Sequence, residues 1–149
     1  MIYIVEDSDL KVQKIESFLL TNNISSDQIM IFKSFQSGLK AILEYPPDLV
    51  ILDMSIPTFD KNVDSREGRL RPLGGYDIMK KIAFKKIKTK VVILTQLEFF
   101  AEGIDIERIS FDQLKKKCME SFPDIFLDCI YYSPSESSWY KSLLNYIHQ

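Results

Sequence analysis

Histidine is almost missing from this sequence: one residue, His148, two positions from the end. A lone imidazole at a fraying terminus is a poor candidate for acid–base chemistry. Cysteine is nearly as scarce, and Cys118 and Cys129 make no C-x-x-C pair of the kind that holds a metal. They are expected as buried thiols, small apolar core residues in a helix and a strand respectively. No apolar run approaches the ~20 residues that cross a bilayer. The opening Met1-Ile2-Tyr3-Ile4-Val5-Glu6-Asp7 turns acidic too early for a secretory leader, which makes the cytoplasm the expected compartment. Charge of one sign is lacking too: 19 basic against 21 acidic residues leave a net charge of -2. That excludes nucleic-acid or membrane binding driven by bulk charge. There is no G-x-x-x-x-G-K-[ST] loop for a nucleotide phosphate and no G-x-G-x-x-G turn for a dinucleotide. Internal repeats, low-complexity tracts, linkers and an appended helix-turn-helix are also absent, so 1–149 reads as one domain.

What is present is an alternation of short apolar runs with helical stretches. Ile2–Val5, Ile29–Phe32, Asp48–Asp53, Val91–Leu94 and a run near Phe126–Tyr132 read as buried strands. Ser8 or Asp9 can cap a first helix carrying Leu10, Ile15, Phe18, Leu19 and Leu20, with Asn22-Asn23 as its exit. A second helix carries Leu39, Ile42 and Leu43 and stops before Pro46-Pro47. Gly74-Gly75 opens a third, with Ile78, Met79 and Ile82 on one face and lysines on the other. A fourth runs from Phe111 to about Phe122, and Trp139, Leu143, Leu144 and Ile147 mark the last. Residues 55–71 and the stretch from Gln96 to about Ser110 read as loops. Strands separated by helices pair in parallel through right-handed crossovers. The expected fold is an α/β, three-layer, doubly wound, parallel five-stranded sheet.

Ligands in such sheets bind beyond the C-terminal strand ends. Glu6-Asp7, Asp53, Thr95 and Ser133-Pro134 stand at those ends. Crowded carboxylates disfavour one another's ionisation, and a divalent cation removes that penalty. Mg²⁺ prefers hard oxygens and one or two protein carboxylates beside phosphate oxygens, a setting for phosphoryl transfer to a carboxylate. Each group also has an ordinary structural role: Glu6-Asp7 as helix caps, Asp53 as a loop-leading aspartate, Thr95 as a strand residue.

Taken together, Ile4-Val5-Glu6-Asp7-Ser8, Pro47 to Pro57 around Asp53, Gly75-Tyr76-Asp77-Ile78-Met79 and Val91-Val92-Ile93-Leu94-Thr95 resemble the receiver domain of bacterial two-component response regulators. The resemblance implies a flavodoxin-like sheet of strand order 2-1-3-4-5. It implies Asp53 as phosphoacceptor and Thr95 as the switch hydroxyl. Mg²⁺ would be held by Asp7 and Asp53 directly, by Glu6 through water, and by the Ser55 backbone carbonyl. A histidine kinase or phosphotransfer protein would be the donor, and a downstream protein the receiver of the signal. No enzymatic activity is expected beyond the chain's own phosphorylation and dephosphorylation. The alternative is a pseudo-receiver that binds protein without phosphorylation, and dimerisation through the last helices is open, with Trp139, Tyr140 and Tyr146 as interface or core.

Four features depart from the family. Ser133 stands where it carries a lysine, and a hydroxyl supplies no positive charge to a phosphoryl group. Ile130 replaces its switching aromatic, beside Tyr131 and Tyr132. Gln96 follows Thr95 where a small residue is common, and both loops are long. The first holds Lys61, Arg66, Arg69 and Arg71 among Asp60, Asp64 and Glu67. Two roles fit it: an arginine or lid replacing the missing lysine, or a solvated partner-binding loop.

Overall fold

The computed structural model describes residues 1–60, 70–96, 99–102 and 107–147. Lys61, Arg66 and Arg69, and His148, lie outside them. Nine strands and five α-helices occur among the described residues: β1 Ile2–Val5, α1 Asp9–Thr21, β2 Ile29–Phe32, α2 Phe35–Glu44, β3 Leu49–Leu52, β4 Ile56–Pro57, β5 Leu70–Arg71, α3 Gly74–Phe84, β6 Lys90–Thr95, β7 Phe99–Glu102, β8 Glu107–Ser110, α4 Phe111–Ser121, β9 Phe126–Tyr131 and α5 Ser138–Ile147.

Five strands form one parallel sheet in the order β2-β1-β3-β6-β9, the 2-1-3-4-5 arrangement expected. β1 and β3 are buried at every position, as strands covered on both faces must be. Alternate residues face opposite layers. Tyr3, Val5, Val50, Leu52, Val91 and Ile93 pack with α2, α3 and α4. Ile2, Ile4, Ile51, Val92 and Leu94 pack with α1 and α5, where Trp139 is 1% exposed. Trp139 is therefore core. Both thiols are buried and unpaired by disulfide, as expected.

Local chemistry sets the helix starts. Ser8, Ser34 and Ser110 each accept a backbone N–H of the first turn. At the exit of α1, Asn23 takes φ 69°, a left-handed conformation that asparagine tolerates.

The two stretches read as loops contain strands. β4 pairs antiparallel with β5, joining Ile56 to Arg71 and Pro57 to Leu70. β7 and β8 form a second antiparallel ribbon between Thr95 and α4. Two-residue strands carry too few residues for a period to show in sequence. One face of α1 also differs from expectation: Leu10 is 71% exposed and Leu20 45%, while Lys11 is buried at 4%.

Candidate functional site

The sheet ladder carries three acidic groups to one rim. The Glu6 N–H donates to the Phe32 carbonyl (2.9 Å) and the Asp53 N–H to the Val5 carbonyl (3.1 Å), so both residues are held one step past the strand ends. Behind Asp53 the chain is clamped: the Gly75 N–H donates to the Met54 carbonyl (2.9 Å). A Cβ on Gly75 would lie 2.6 Å from the Asp53 carbonyl oxygen, so only glycine permits this approach of α3.

Glu6, Asp7 and Asp53 thus each offer a carboxylate oxygen within 4.8 Å of the others'. They line a cleft of about 350 Å³ with Lys11, Ser55 and Gln96. Glu6 is 3% exposed. Its Oε1 accepts the Ser8 N–H (3.1 Å), and its Oε2 accepts Lys11 Nζ (2.9 Å). Asp53 Oδ1 accepts the Met54 N–H (2.8 Å), and Oδ2 lies 3.5 Å from Lys11 Nζ. Burial pushes the Glu6 carboxyl up to about 8, opposed by the Lys11 ammonium and reinforced by the Asp53 charge.

Such a donor set suits a hard divalent cation. Three carboxylates outweigh a single ammonium, and Asp7, the most exposed of them, opens the cluster to solvent. Ser55 lines the same cleft, within the segment that follows Asp53. Thr95 ends β6, wholly buried, and its Oγ1 has no hydrogen-bond partner among the described residues. A buried hydroxyl with no partner is costly unless something supplies one.

Other expectations resolve differently. Ser133 is not among the cleft-lining residues; its hydroxyl lies 3.2 Å from that of Ser135. Arg71 is placed away from the clustered carboxylates. Its guanidinium stacks 4.0 Å over the Phe35 ring and pairs with Asp77 at 3.6 Å. Ile130 is buried in the sheet, and Tyr132, 2% exposed, lies under Lys11 with its ring centroid 5.2 Å from Nζ. Tyr131 is exposed and meets Phe111 edge-on.

The residue that sequence reasoning missed is Lys11. Besides Glu6, its ammonium donates to the Leu94 carbonyl at 2.6 Å. Its signal was positional. Lys11 stands at i of a buried i, i+4, i+7, i+8 stripe completed by Ile15, Phe18 and Leu19. A charged residue within an apolar stripe asks for a buried partner, and Glu6 is the partner.

No family model matches the chain. The Detocs response regulatory protein DtcB of Enterobacter cloacae is 26% identical over 146 residues, covering 97% of this chain and 96% of that protein. The signal receiver domain of a Vibrio parahaemolyticus protein assigned as a Luxo repressor superposes with a TM-score of 0.61 at 18% identity, covering 97% of this chain and 85% of that one. A response regulator receiver domain protein from Clostridium thermocellum gives 0.58 at 18% identity, covering 97% and 90%. The receiver fold read from the sequence therefore holds across nearly the whole chain, and this degree of likeness speaks to fold.

Proposed function

We infer that this chain is a phosphorylation-dependent signalling receiver, with Asp53 as the residue that accepts the phosphoryl group. The observation that carries the reading is the meeting of Glu6, Asp7 and Asp53 at the C-terminal rim of the sheet, carboxylate oxygens within 4.8 Å of one another. Asp7 and Asp53 would hold Mg²⁺ directly, Glu6 through water and Ser55 through its backbone carbonyl. Bound there, the ion supplies positive charge to the transferring phosphoryl oxygens.

The protein's own groups do the rest. An Asp53 carboxylate oxygen bonds to phosphorus as the bond from phosphorus to the donor's histidine nitrogen breaks, and that nitrogen leaves with its electron pair. The Met54 N–H, 2.8 Å from Oδ1, fixes the carboxylate plane during attack. Thr95 Oγ1, buried without a partner among the described residues, is the hydroxyl left to meet a phosphoryl oxygen. Movement of Thr95 toward that oxygen would shift the chain that follows it and alter a partner surface. The donor is a histidine kinase or phosphotransfer protein, and the output is a downstream protein. DtcB is named as a response regulatory protein, in keeping with such a role here. Among the described residues no helix is long and apolar enough to cross a membrane, and the cytoplasm is the compartment we assign.

Incubation with acetyl phosphate and Mg²⁺, followed by intact mass measurement, tests this. The expected result is a gain of one phosphoryl group that Asp53→Asn abolishes. An unmodified wild-type chain would sink the reading and leave phosphorylation-independent protein binding in its place.

A further inference from the structure

Resting on the reading of Asp53 as phosphoacceptor, we propose that Lys11, reaching in from α1, is the catalytic cation that contacts the transferred phosphoryl group, in place of the lysine that Ser133 displaces.

Three lines of geometry carry this. Among the described residues, Lys11 is the one cation whose ammonium lies within ion-pair distance of Asp53, with Nζ 3.5 Å from Oδ2. A lysine ammonium has three N–H donors. Two are spent at short range, on Glu6 Oε2 at 2.9 Å and on the Leu94 carbonyl at 2.6 Å. Asp53 Oδ2 stands beyond the roughly 2.7–3.2 Å of a good N–H···O bond. The third donor is therefore not committed to Asp53 itself, and is within reach of an oxygen carried on the phosphorus bonded to it.

Burial supplies the second line. α1 seats itself through Val12, Ile15, Phe18 and Leu19, and a buried ion pair seldom stabilises a fold better than apolar side chains of the same size. A charge retained on that stripe, against a cluster of three carboxylates, answers to the site rather than to packing. The third line is exclusion among the described residues. Ser133 offers no charge and its hydroxyl is beside Ser135, while Arg71 stacks on Phe35 and pairs with Asp77.

The Leu94 bond adds a consequence. Leu94 immediately precedes Thr95, so the ammonium that meets the phosphoryl group is already tied to the strand end bearing the hydroxyl. In the step itself an Asp53 oxygen bonds to phosphorus while the bond to the leaving group breaks, acetate leaving when acetyl phosphate is the donor. No proton passes through Lys11; it contributes an N–H contact and a charge to an oxygen that remains on phosphorus.

The test is the rate of mass gain with acetyl phosphate and Mg²⁺ for the wild type and Lys11→Met, both checked for fold by circular dichroism. Loss of one such donor slows the chemistry by roughly a hundredfold, and that is the expected result. A Lys11→Met chain labelled at the wild-type rate overturns the role of Lys11 and leaves Asp53 standing. A wild type that takes no phosphoryl group overturns both. Should Lys11→Met fail to fold, the wild type answers alone. With side-chain ¹⁵N-labelled lysine, and the Lys11 resonance assigned through Lys11→Arg, addition of beryllium fluoride and Mg²⁺ (which mimic a phosphoryl group on a carboxylate) should shift that resonance. An unmoved resonance, with the fluoride bound at Asp53, overturns the proposal.

Discussion

Substituting alanine at Gly75 probes the clamp behind Asp53. The backbone there is one that any residue can adopt, so the cost is steric rather than conformational. A Cβ would stand 2.6 Å from the Asp53 carbonyl oxygen and 3.1 Å from the Met54 Cα. Ordinary contact begins at 3.4 Å, so α3 and the Asp53–Met54 peptide must part by about 0.8 Å, the difference between those two distances. Both neighbours are backbone and cannot swing aside as a side chain does. Overpacking of this kind costs about 1–3 kcal/mol. Alanine returns up to ~1 kcal/mol through its better helix propensity, which with the full return leaves a net loss of up to about 2 kcal/mol. For a chain of this length that lowers Tm by up to roughly 8 °C. Thermal melts followed by circular dichroism, with urea titrations at unchanged m-value, measure it. Because the displaced atoms belong to Asp53, the rate of acetyl phosphate labelling should fall as well. Gly38→Ala is the comparison: its Cβ would meet a methyl of the Val5 side chain at 2.8 Å rather than backbone. It should slow labelling less than Gly75→Ala does. A Gly75→Ala chain that melts at or above the wild-type temperature would refute the clamp.

Above pH ~8, where Glu6 is ionised, Lys11→Met alone strands it as a buried carboxylate and should cost up to about 3–5 kcal/mol, less at lower pH where it is protonated. Glu6→Leu/Lys11→Met, which removes both charges, should cost far less than the two single losses summed; urea unfolding of the four chains above that pH reads the coupling, and simple additivity would count against the pair. Burial pushes the Cys118 thiol up to about 12 and raises Cys129 as well. Neither should react with iodoacetamide at pH 8 until urea is added, and rapid native labelling would contradict their burial. Since the unfolded thiols ionise first, their contribution to stability is whole below pH ~9 and is lost as pH rises beyond it; a melting temperature flat from pH 9 to 11 would argue against this. Trp139→Ala empties a site packed by Phe18, Tyr132 and Tyr140 and should cost about 3–5 kcal/mol in the same urea assay; a loss under 1 kcal/mol would contradict its place in the core.

The main sheet was legible because its strands are continuous apolar runs, and three of them lead to or end on a residue at the rim. Val5 precedes Glu6, Leu52 precedes Asp53, and Thr95 closes β6. The cap at Ser8 announced the first helix, while those at Ser34 and Ser110 emerged only with the structure. β4 and β5 were not legible, because two-residue strands have no period and their pairing joins Ile56 to Arg71 across fifteen positions. Reading α1 by its leucines put Leu10 inside; the helix instead follows Ile15, Phe18 and Leu19, and so turns Lys11 inward. The carboxylates could be placed from the fold rule for strand ends. The cation could not, because a lysine on a helix is ordinarily solvated and only the closeness of α1 to Leu94 and Asp53 makes this one otherwise.

With Lys11 inward, acid and base of the pocket both arise within the six-residue span from Glu6 to Lys11. Negative and positive halves then come from the same strand, turn and first helical turn, and they assemble as neighbours in the chain rather than across the whole sheet. If Lys11 supplies the charge, Ser133 need not, while the neighbouring Pro134 still lines the cleft and its carbonyl accepts Lys14 Nζ at 2.7 Å. The first β–α unit is, on this view, a portable cassette: grafted ahead of another receiver's third strand, it would bring its own counter-ion.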